Sequence, residues 1–160
     1  MNQFQRISLK AVLVAAFLLA GQTAFAESEG DFEYEAVEGG VSVTGYKGPE
    51  GVSLDIPDKL GGKVVVMIGV FAFDENLLTS VTIPSSVTSI GDEAFTCDTL
   101  LSFEVDVTNK HYKSIDGILF SKDGTVLCAY PDGKDATSYS IPSSVIAIVP
   151  PRVDGARHFL

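Results

Sequence analysis

The stretch Ser80–Ile90, with the sequence SVTIPSSVTSI, decides the fold because it recurs in altered form elsewhere in the chain. Its central part, TIPSSVTSI, matches SIPSSVIAI at Ser140–Ile148, and a shorter version, LDIP, occurs at Leu54–Pro57. Self-similarity of this kind is the signature of a protein built from repeated structural units. The sequence therefore predicts stacked copies of one unit rather than a single irregular core.

Two units in the middle of the chain repeat with a constant offset of 22 residues. The apolar matches at this offset are Ala72/Ala94, Phe73/Phe95, Leu78/Leu100, Val81/Phe103 and Ile83/Val105. Five matches without a shift are difficult to obtain by chance. The period falls in the range of leucine-rich repeats.

Each unit has the pattern of one short strand followed by a turn. Val81 and Ile83 alternate with the polar Ser80 and Thr82, which is the period of a half-buried strand. Pro84 lacks a backbone donor and suits the end of that strand. One coil cannot bury its apolar side alone, whereas stacked coils can. The predicted fold class is a short α/β leucine-rich-repeat solenoid, mostly strand and turn, of about four to five coils.

Two long phrases make a family resemblance specific. They are SVTIPSSVTSIGDEAFTCDTLLSFEV at residues 80–105 and YKSIDGILFSKDGTVLCAYPDGKDATSYSIPSSV at residues 112–145. Both look like the BspA-like leucine-rich repeats of bacterial surface proteins, and the resemblance extends over Asp31–Ile148. It implies an interaction or adhesion protein whose partners are host or extracellular-matrix proteins.

An insertion at about residues 115–134 interrupts the regular spacing. An Asp123-Gly124 turn lies there between the apolar runs Ile118–Phe120 and Val126–Cys128. Asp-Gly between such runs predicts a β-hairpin. The family resemblance implies that this hairpin projects from the solenoid.

The two ends of the chain differ from the repeat domain, which we assign to residues 27–148. Residues 1–26 predict a signal peptide, with basic residues before the apolar run Ala11–Ala20 and small residues at Ala24 and Ala26. Residues 149–160, VPPRVDGARHFL, contain no repeat and no polar cap. We expect a truncated or frame-altered relative of a longer repeat protein with a poorly ordered tail, or alternatively self-association that buries this end.

Charge excludes one class of partner. The chain has 11 basic and 21 acidic residues, and without the signal peptide nine basic residues remain, for a net charge of −12. Such a protein repels phosphate backbones and anionic membranes, so we expect no nucleic-acid binding. Because no second long apolar run follows the signal peptide, we also expect no membrane insertion after export. The acidic run from Glu27 to Glu35 predicts a frayed, solvated end or, alternatively, a docking patch. The expected location is the cell surface, the periplasm or the medium.

Catalytic and metal-binding patterns are missing from the sequence. Cys97 and Cys128 are predicted to be free thiols, and neither His111 nor His158 belongs to a nucleophile motif. The Asp-Gly pairs lack the spacing of a calcium loop. The sequence therefore predicts no enzyme, no catalytic residue, no metal and no cofactor.

The repeated strand predicts an interaction surface. Its outward positions form two columns, Ser53, Ser80, Ser102 and Ser138 in one and Asp55, Thr82, Glu104 and Ser140 in the other. Solenoid sheets are common binding surfaces, although a plain solvated face is the competing interpretation. Aromatic residues and Arg, the usual interface hot spots, are missing from both columns. The alternative functions are a glycan-binding module and an accessory fragment of a larger surface protein or exported enzyme.

Overall fold

The computed structural model describes residues 26–134 and 138–149. The predicted signal peptide and the non-repeat tail, apart from Ala26 and Val149, lie outside this part of the chain. The described residues form thirteen strands and no helix. The strands are β1 Glu27–Glu29, β2 Phe32–Val37, β3 Gly40–Tyr46, β4 Ser53–Asp55, β5 Lys59–Leu60, β6 Lys63–Ile68, β7 Ser80–Ile83, β8 Ser89–Ile90, β9 Ser102–Val105, β10 Tyr112–Ile115, β11 Ile118–Ser121, β12 Val126–Ala129 and β13 Ala147–Ile148.

The strands of the solenoid form three sheets. One contains β1, β2, β3, β6 and β5 in spatial order, with β8 also beside β6. A second has the order β10-β11-β12-β13, and the third has the order β4-β7-β9. Pairs formed by successive coils are parallel, as in β4–β7, β7–β9, β3–β6 and β6–β8. The result is a strand-rich solenoid of about five turns, which confirms the predicted architecture.

Coil turns take the place that helices occupy in many α/β solenoids. Phe71 and Glu93, one period apart, both have left-handed backbones with φ of 59° and 55°. A non-glycine residue in this conformation cannot continue a right-handed helix. Instead the turns stack, and the Phe73 N–H donates to the Ala94 carbonyl at 2.9 Å. This hydrogen bonding between coils explains why the described part of the chain is strand and turn.

An aromatic stack runs through the main core. The Phe73 and Phe95 rings are parallel with centroids 5.4 Å apart, and Phe95 meets Phe103 edge-on at 5.1 Å. All three residues are buried. The matched positions in the sequence therefore predict the core correctly, because equivalent residues of stacked coils meet directly.

The predicted hairpin is present as β11 and β12, and it carries a small core of its own. Ile118, Phe120 and Leu127 are buried and pack with the partly buried Tyr130, Tyr139 and Val145. Leu119, on the other side of β11, belongs to the main core. The hairpin thus forms a second layer that is joined to the solenoid.

The amino-terminal acidic run differs from its prediction. Residues Glu27–Glu29 form β1, which pairs antiparallel with β2 although all three are exposed. Tyr34 supports this pairing, because this buried residue donates a hydrogen bond from its hydroxyl to the Glu27 carboxylate at 3.2 Å. The segment is solvated as expected, but it is a strand and not a frayed end.

Candidate interaction surface

The β4–β7–β9 sheet brings six of the eight predicted surface residues together. Its parallel register pairs Ser53 with Ser80 and Ser80 with Ser102. The same register pairs Asp55 with Thr82 and Thr82 with Glu104. We call these two rows the serine column and the acidic column.

Burial of the intervening residues fixes the direction in which both columns point. Leu54, Val81 and Phe103 lie between the two columns on the three strands and are buried in the main core. Because successive side chains of a strand point to opposite faces, their neighbours face solvent. The Ser53 and Ser80 hydroxyls contact each other at 2.5 Å, which aligns the serine column.

The acidic column carries its charge at both ends. Asp55 and Glu104 are exposed, and the uncharged Thr82 lies half-buried between them. Since one strand separates β4 from β9, the two carboxylates are separated by about two strand spacings, roughly 10 Å. A partner would meet two spaced negative charges rather than one concentrated cluster.

Ser138 and Ser140 do not extend these columns, so the prediction of a fourth strand in this sheet is wrong. The outer edge of β9 is already occupied by the hairpin of β10 and β11. The Phe103 N–H donates to the Gly117 carbonyl at 2.8 Å, and the Ser114 hydroxyl donates to the Phe103 carbonyl at 2.7 Å. The turn between β10 and β11 therefore takes the place that a fourth parallel strand would need.

Sequence reasoning missed an exposed apolar residue at the start of β9. Leu101 directly precedes β9 and is 51% exposed. Its N–H donates to the carbonyl of Thr79, the residue 22 positions earlier. The repeat alignment contains the signal, since a leucine occupies a position where the preceding coil has a threonine.

A cleft lies at the inserted hairpin. An open cleft of about 440 Å³ is lined by Lys110, His111, Ser121, Lys122 and Asp123. The Asp123 carboxylate accepts hydrogen bonds from the Ser121 hydroxyl at 2.6 Å and the Thr125 N–H at 3.0 Å. These bonds, the one from Ser121 first, lower the pKa of Asp123 to about 2. The carboxylate therefore organises the turn as an anion and is not poised for acid catalysis.

Neither cysteine has the environment of a nucleophile. Both are free thiols, as predicted. Cys97 is buried, and its sulfur accepts a hydrogen bond from the Leu78 N–H at 3.2 Å. Burial raises the pKa of Cys128 to about 11, which disfavours the reactive thiolate. Within residues 26–134 and 138–149, no group of three metal-binding side chains comes together.

Solved structures provide the comparison with known proteins. A leucine-rich-repeat protein from Eubacterium ventriosum matches 62% of this chain at 30% identity, with a TM-score of 0.55. The chain has the fold of the bacterial leucine-rich-repeat proteins. This leucine-rich-repeat fold is the one predicted from the sequence, and the match is consistent with the BspA-like resemblance.

Two further leucine-rich-repeat structures are similar at lower scores. A leucine-rich cell surface protein from Faecalibacterium prausnitzii matches 57% of the chain at 28% identity, with a TM-score of 0.47. A leucine-rich-repeat protein from T. pallidum matches 80% of this chain at 24% identity, with a TM-score of 0.49. The match covers 51% of the T. pallidum structure. The chain spans about a quarter, 26%, of each of the E. ventriosum and F. prausnitzii structures.

Other comparisons add no family name. No protein-family model matches the chain, and no curated protein is significantly similar to it. In the part of the chain that the structure describes, no helix is long and apolar enough to cross a membrane.

Proposed function

We propose that this leucine-rich-repeat chain is an exported, non-enzymatic module that presents the β4–β7–β9 sheet to a protein partner. The observation that carries the proposal is the parallel register of the serine and acidic columns. Polar side chains occupy the same two positions on the outer face of three successive strands while their neighbours build the core. A regularly patterned sheet of this kind suits recognition of an extended surface.

The charge of the acidic column favours a basic partner. Asp55 and Glu104 are exposed, and the whole chain has a formal net charge of −10. Complementary charge raises the rate of association and selects against acidic partners. The BspA-like resemblance adds the expectation that the partner is a host or extracellular-matrix protein.

Leu101 supports a protein partner over a glycan. Protein interfaces combine an apolar centre with a polar rim, and Leu101 supplies exposed apolar surface directly before β9, at the end of the sheet that carries the columns. Sugar-binding sites favour aromatic platforms, whereas the outward positions of these three strands carry Ser, Thr, Asp and Glu. The two columns and Leu101 together define the proposed interface.

The test uses a pull-down of matrix and cell-surface proteins, followed by affinity measurement with each captured partner. Asp55→Lys combined with Glu104→Lys should weaken binding of a basic partner and reduce its dependence on salt. Glu38→Lys combined with Asp92→Lys is the matched control, since both residues are exposed outside this sheet and the net charge changes equally. Equal affinity of the two double variants for the partner would show that this sheet is not part of the interface.

Leu101→Ser tests the apolar contribution separately. We expect weaker binding with little change in folding stability, because surface substitutions usually change stability by less than about 0.5 kcal/mol. Unchanged affinity in this variant would show that the partner contacts the columns without using Leu101. Export is tested by measuring the intact mass of the protein recovered outside the cytoplasm. This mass should correspond to a chain that begins at Glu27.

A further inference from the structure

Positive charge is concentrated at the β10–β11 hairpin and the turns beside it. Residues 27–109 contain 16 acidic residues and three lysines, whereas residues 110–134 contain three aspartates, four lysines and His111. A local excess of one charge raises the concentration of ions of opposite sign around it. The hairpin region is therefore suited to attract an anion, which the acidic coils before it would repel.

The open cleft of about 440 Å³ gathers part of this positive charge. Lys110 and His111 line the cleft from the turn before β10, and Lys122 lines it from the turn after β11. All three residues are exposed. Among the described residues, no carboxylate lies within ion-pair distance of Lys110 or Lys122, although Asp123 lines the same cleft. Two ammonium groups and an imidazole are thus brought together without a paired anion.

A buried asparagine fixes the first of these turns. The Asn109 amide donates to the carbonyls of Pro84 and Val87, which belong to the preceding coil. Its Oδ1 atom accepts from the His111 N–H at 2.7 Å, and the His111 carbonyl accepts from the Lys122 N–H at 2.7 Å. The fold therefore holds the two turns side by side before any ligand arrives. Groups arranged in advance bind with a smaller loss of conformational entropy.

Two carboxylates in or beside the cleft are committed to their own turns. Asp106 Oδ1 accepts from the N–H and the hydroxyl of Thr108, at 2.7 and 2.6 Å. Asp123 Oδ1 accepts from the Ser121 hydroxyl and from the N–H and the hydroxyl of Thr125. Within the part of the chain that the structure describes, neither carboxylate forms an ion pair with a lysine. The other oxygen of Asp123, Oδ2, can accept a hydrogen bond from a ligand.

The size and charge of the ligand are limited by the surroundings of the cleft. Its volume of about 440 Å³ lies within the usual range of small-molecule sites, roughly 300–1,000 Å³. The chain has a net charge of −10, so a long polyanion that extended beyond the cleft would be repelled. A singly charged carboxylate also fits better than a doubly charged phosphate, because Asp123 lines the same cleft. The surroundings therefore favour a small monoanion.

We propose that this cleft binds a small anion that carries a hydroxyl group beside its carboxylate, which is the chemistry of an acidic sugar. Lys110 and Lys122 donate to the carboxylate of the ligand, with the His111 imidazole beside them, and Asp123 accepts from the hydroxyl. The cleft shares no residue with the β4–β7–β9 sheet. The proposal therefore does not depend on the function proposed above, and its assay needs no other protein.

Isothermal titration calorimetry of the exported protein with glucuronate at low ionic strength tests this site. We expect binding that weakens as salt is added, because salt screens exposed charges. Lys110→Gln combined with Lys122→Gln should raise the dissociation constant by more than about tenfold, since two charge-assisted hydrogen bonds are lost. Lys59→Gln combined with Lys63→Gln is the matched control, because both lysines are exposed at the β5–β6 hairpin and the net charge changes equally. The control should leave the dissociation constant unchanged.

Two further ligands separate the parts of this chemistry. Glucose lacks the carboxylate and should not bind, and acetate lacks the hydroxyl groups and should bind more weakly than glucuronate. Denaturation curves of both double variants should match the wild type, because only exposed side chains change. Absence of glucuronate binding, or equal dissociation constants for the two double variants, would overturn the proposal. So would equal affinity for glucuronate and either glucose or acetate.

Discussion

Phe95→Ala should remove a large share of the folding stability. Phe95 lies between Phe73 and Phe103 in the aromatic stack, with ring centroids 5.4 and 5.1 Å away. Only 9% of its surface is exposed, and both neighbours are fully buried. Truncation of Phe95 to alanine would therefore leave a cavity between Phe73 and Phe103 in the core of the stacked coils.

The expected loss is about 3–5 kcal/mol, the usual cost of truncating a buried phenylalanine to alanine. Each ring pair contributes roughly 0.5–1.5 kcal/mol beyond the burial of apolar area, and Phe95 takes part in two such pairs. Domains are typically stable by about 5–15 kcal/mol, so this one substitution would bring the protein close to unfolding.

Chemical denaturation followed by circular dichroism measures the loss, and Phe71→Ala is the control. Phe71 is 48% exposed, so the same chemical change should cost less than about 1 kcal/mol there. A Phe95→Ala loss below about 1 kcal/mol, or one equal to that of Phe71→Ala, would refute the assignment of Phe95 to the core.

Three further predictions concern polar and titratable groups. Asn109 is fully buried, and its amide donates to the carbonyls of Pro84 and Val87 at 2.9 and 3.1 Å. Asn109→Ala should therefore cost roughly 1–3 kcal/mol for each buried group left unpaired, as measured by urea denaturation. Because burial raises the pKa of Cys128 to about 11, its alkylation should be slow at neutral pH and accelerate as the pH rises towards 11. Site-resolved mass spectrometry measures this rate, and fast labelling of folded protein at neutral pH would contradict it. Since the pKa of Asp123 is lowered to about 2 in the fold, from an ordinary 3.8, its stabilising contribution should be complete above about pH 4 and lost as pH falls through 2. Asp123→Asn should weaken this acid dependence in denaturation curves measured at several pH values, and an unchanged dependence would contradict the assignment.

The repeating part of the fold could be predicted from the sequence because its information is local and periodic. The 22-residue offset placed Phe73 over Phe95 and Ser80 beside Ser102, and the structure pairs them in this way. A coil contacts its neighbours at equivalent positions, so sequence alignment between coils is also spatial alignment.

The prediction of a fourth strand in this sheet was wrong for a physical reason that the spacing of residues along the sequence cannot reveal. Ser138 and Ser140 follow the repeat pattern, but a sequence pattern does not show whether the edge of β9 is still free. The hydrogen bond from Phe103 to Gly117 occupies that edge. An insertion thus changed which strands could pair, although it left the later repeat phrase recognisable.

The conformation of the coil turns could not be predicted for a related reason. The predicted fold class is mostly strand and turn, and at two of the described turns Phe71 and Glu93 adopt left-handed conformations. Such conformations are rare outside glycine, asparagine and aspartate, so residue type gave no warning at these positions. Contacts between stacked turns stabilise them, and those contacts are visible only in three dimensions.

The unequal spacing of the paired strands has a consequence for how this protein can change over evolutionary time. Ser53 and Ser80 are 27 residues apart and Ser80 and Ser102 are 22 apart, yet both pairs stand in the same register. The difference is accommodated around the β5–β6 hairpin, which belongs to another sheet. Insertions and deletions there can lengthen or shorten a coil while the displayed side chains stay aligned. One side of the protein can therefore diversify in length and sequence while selection maintains the other.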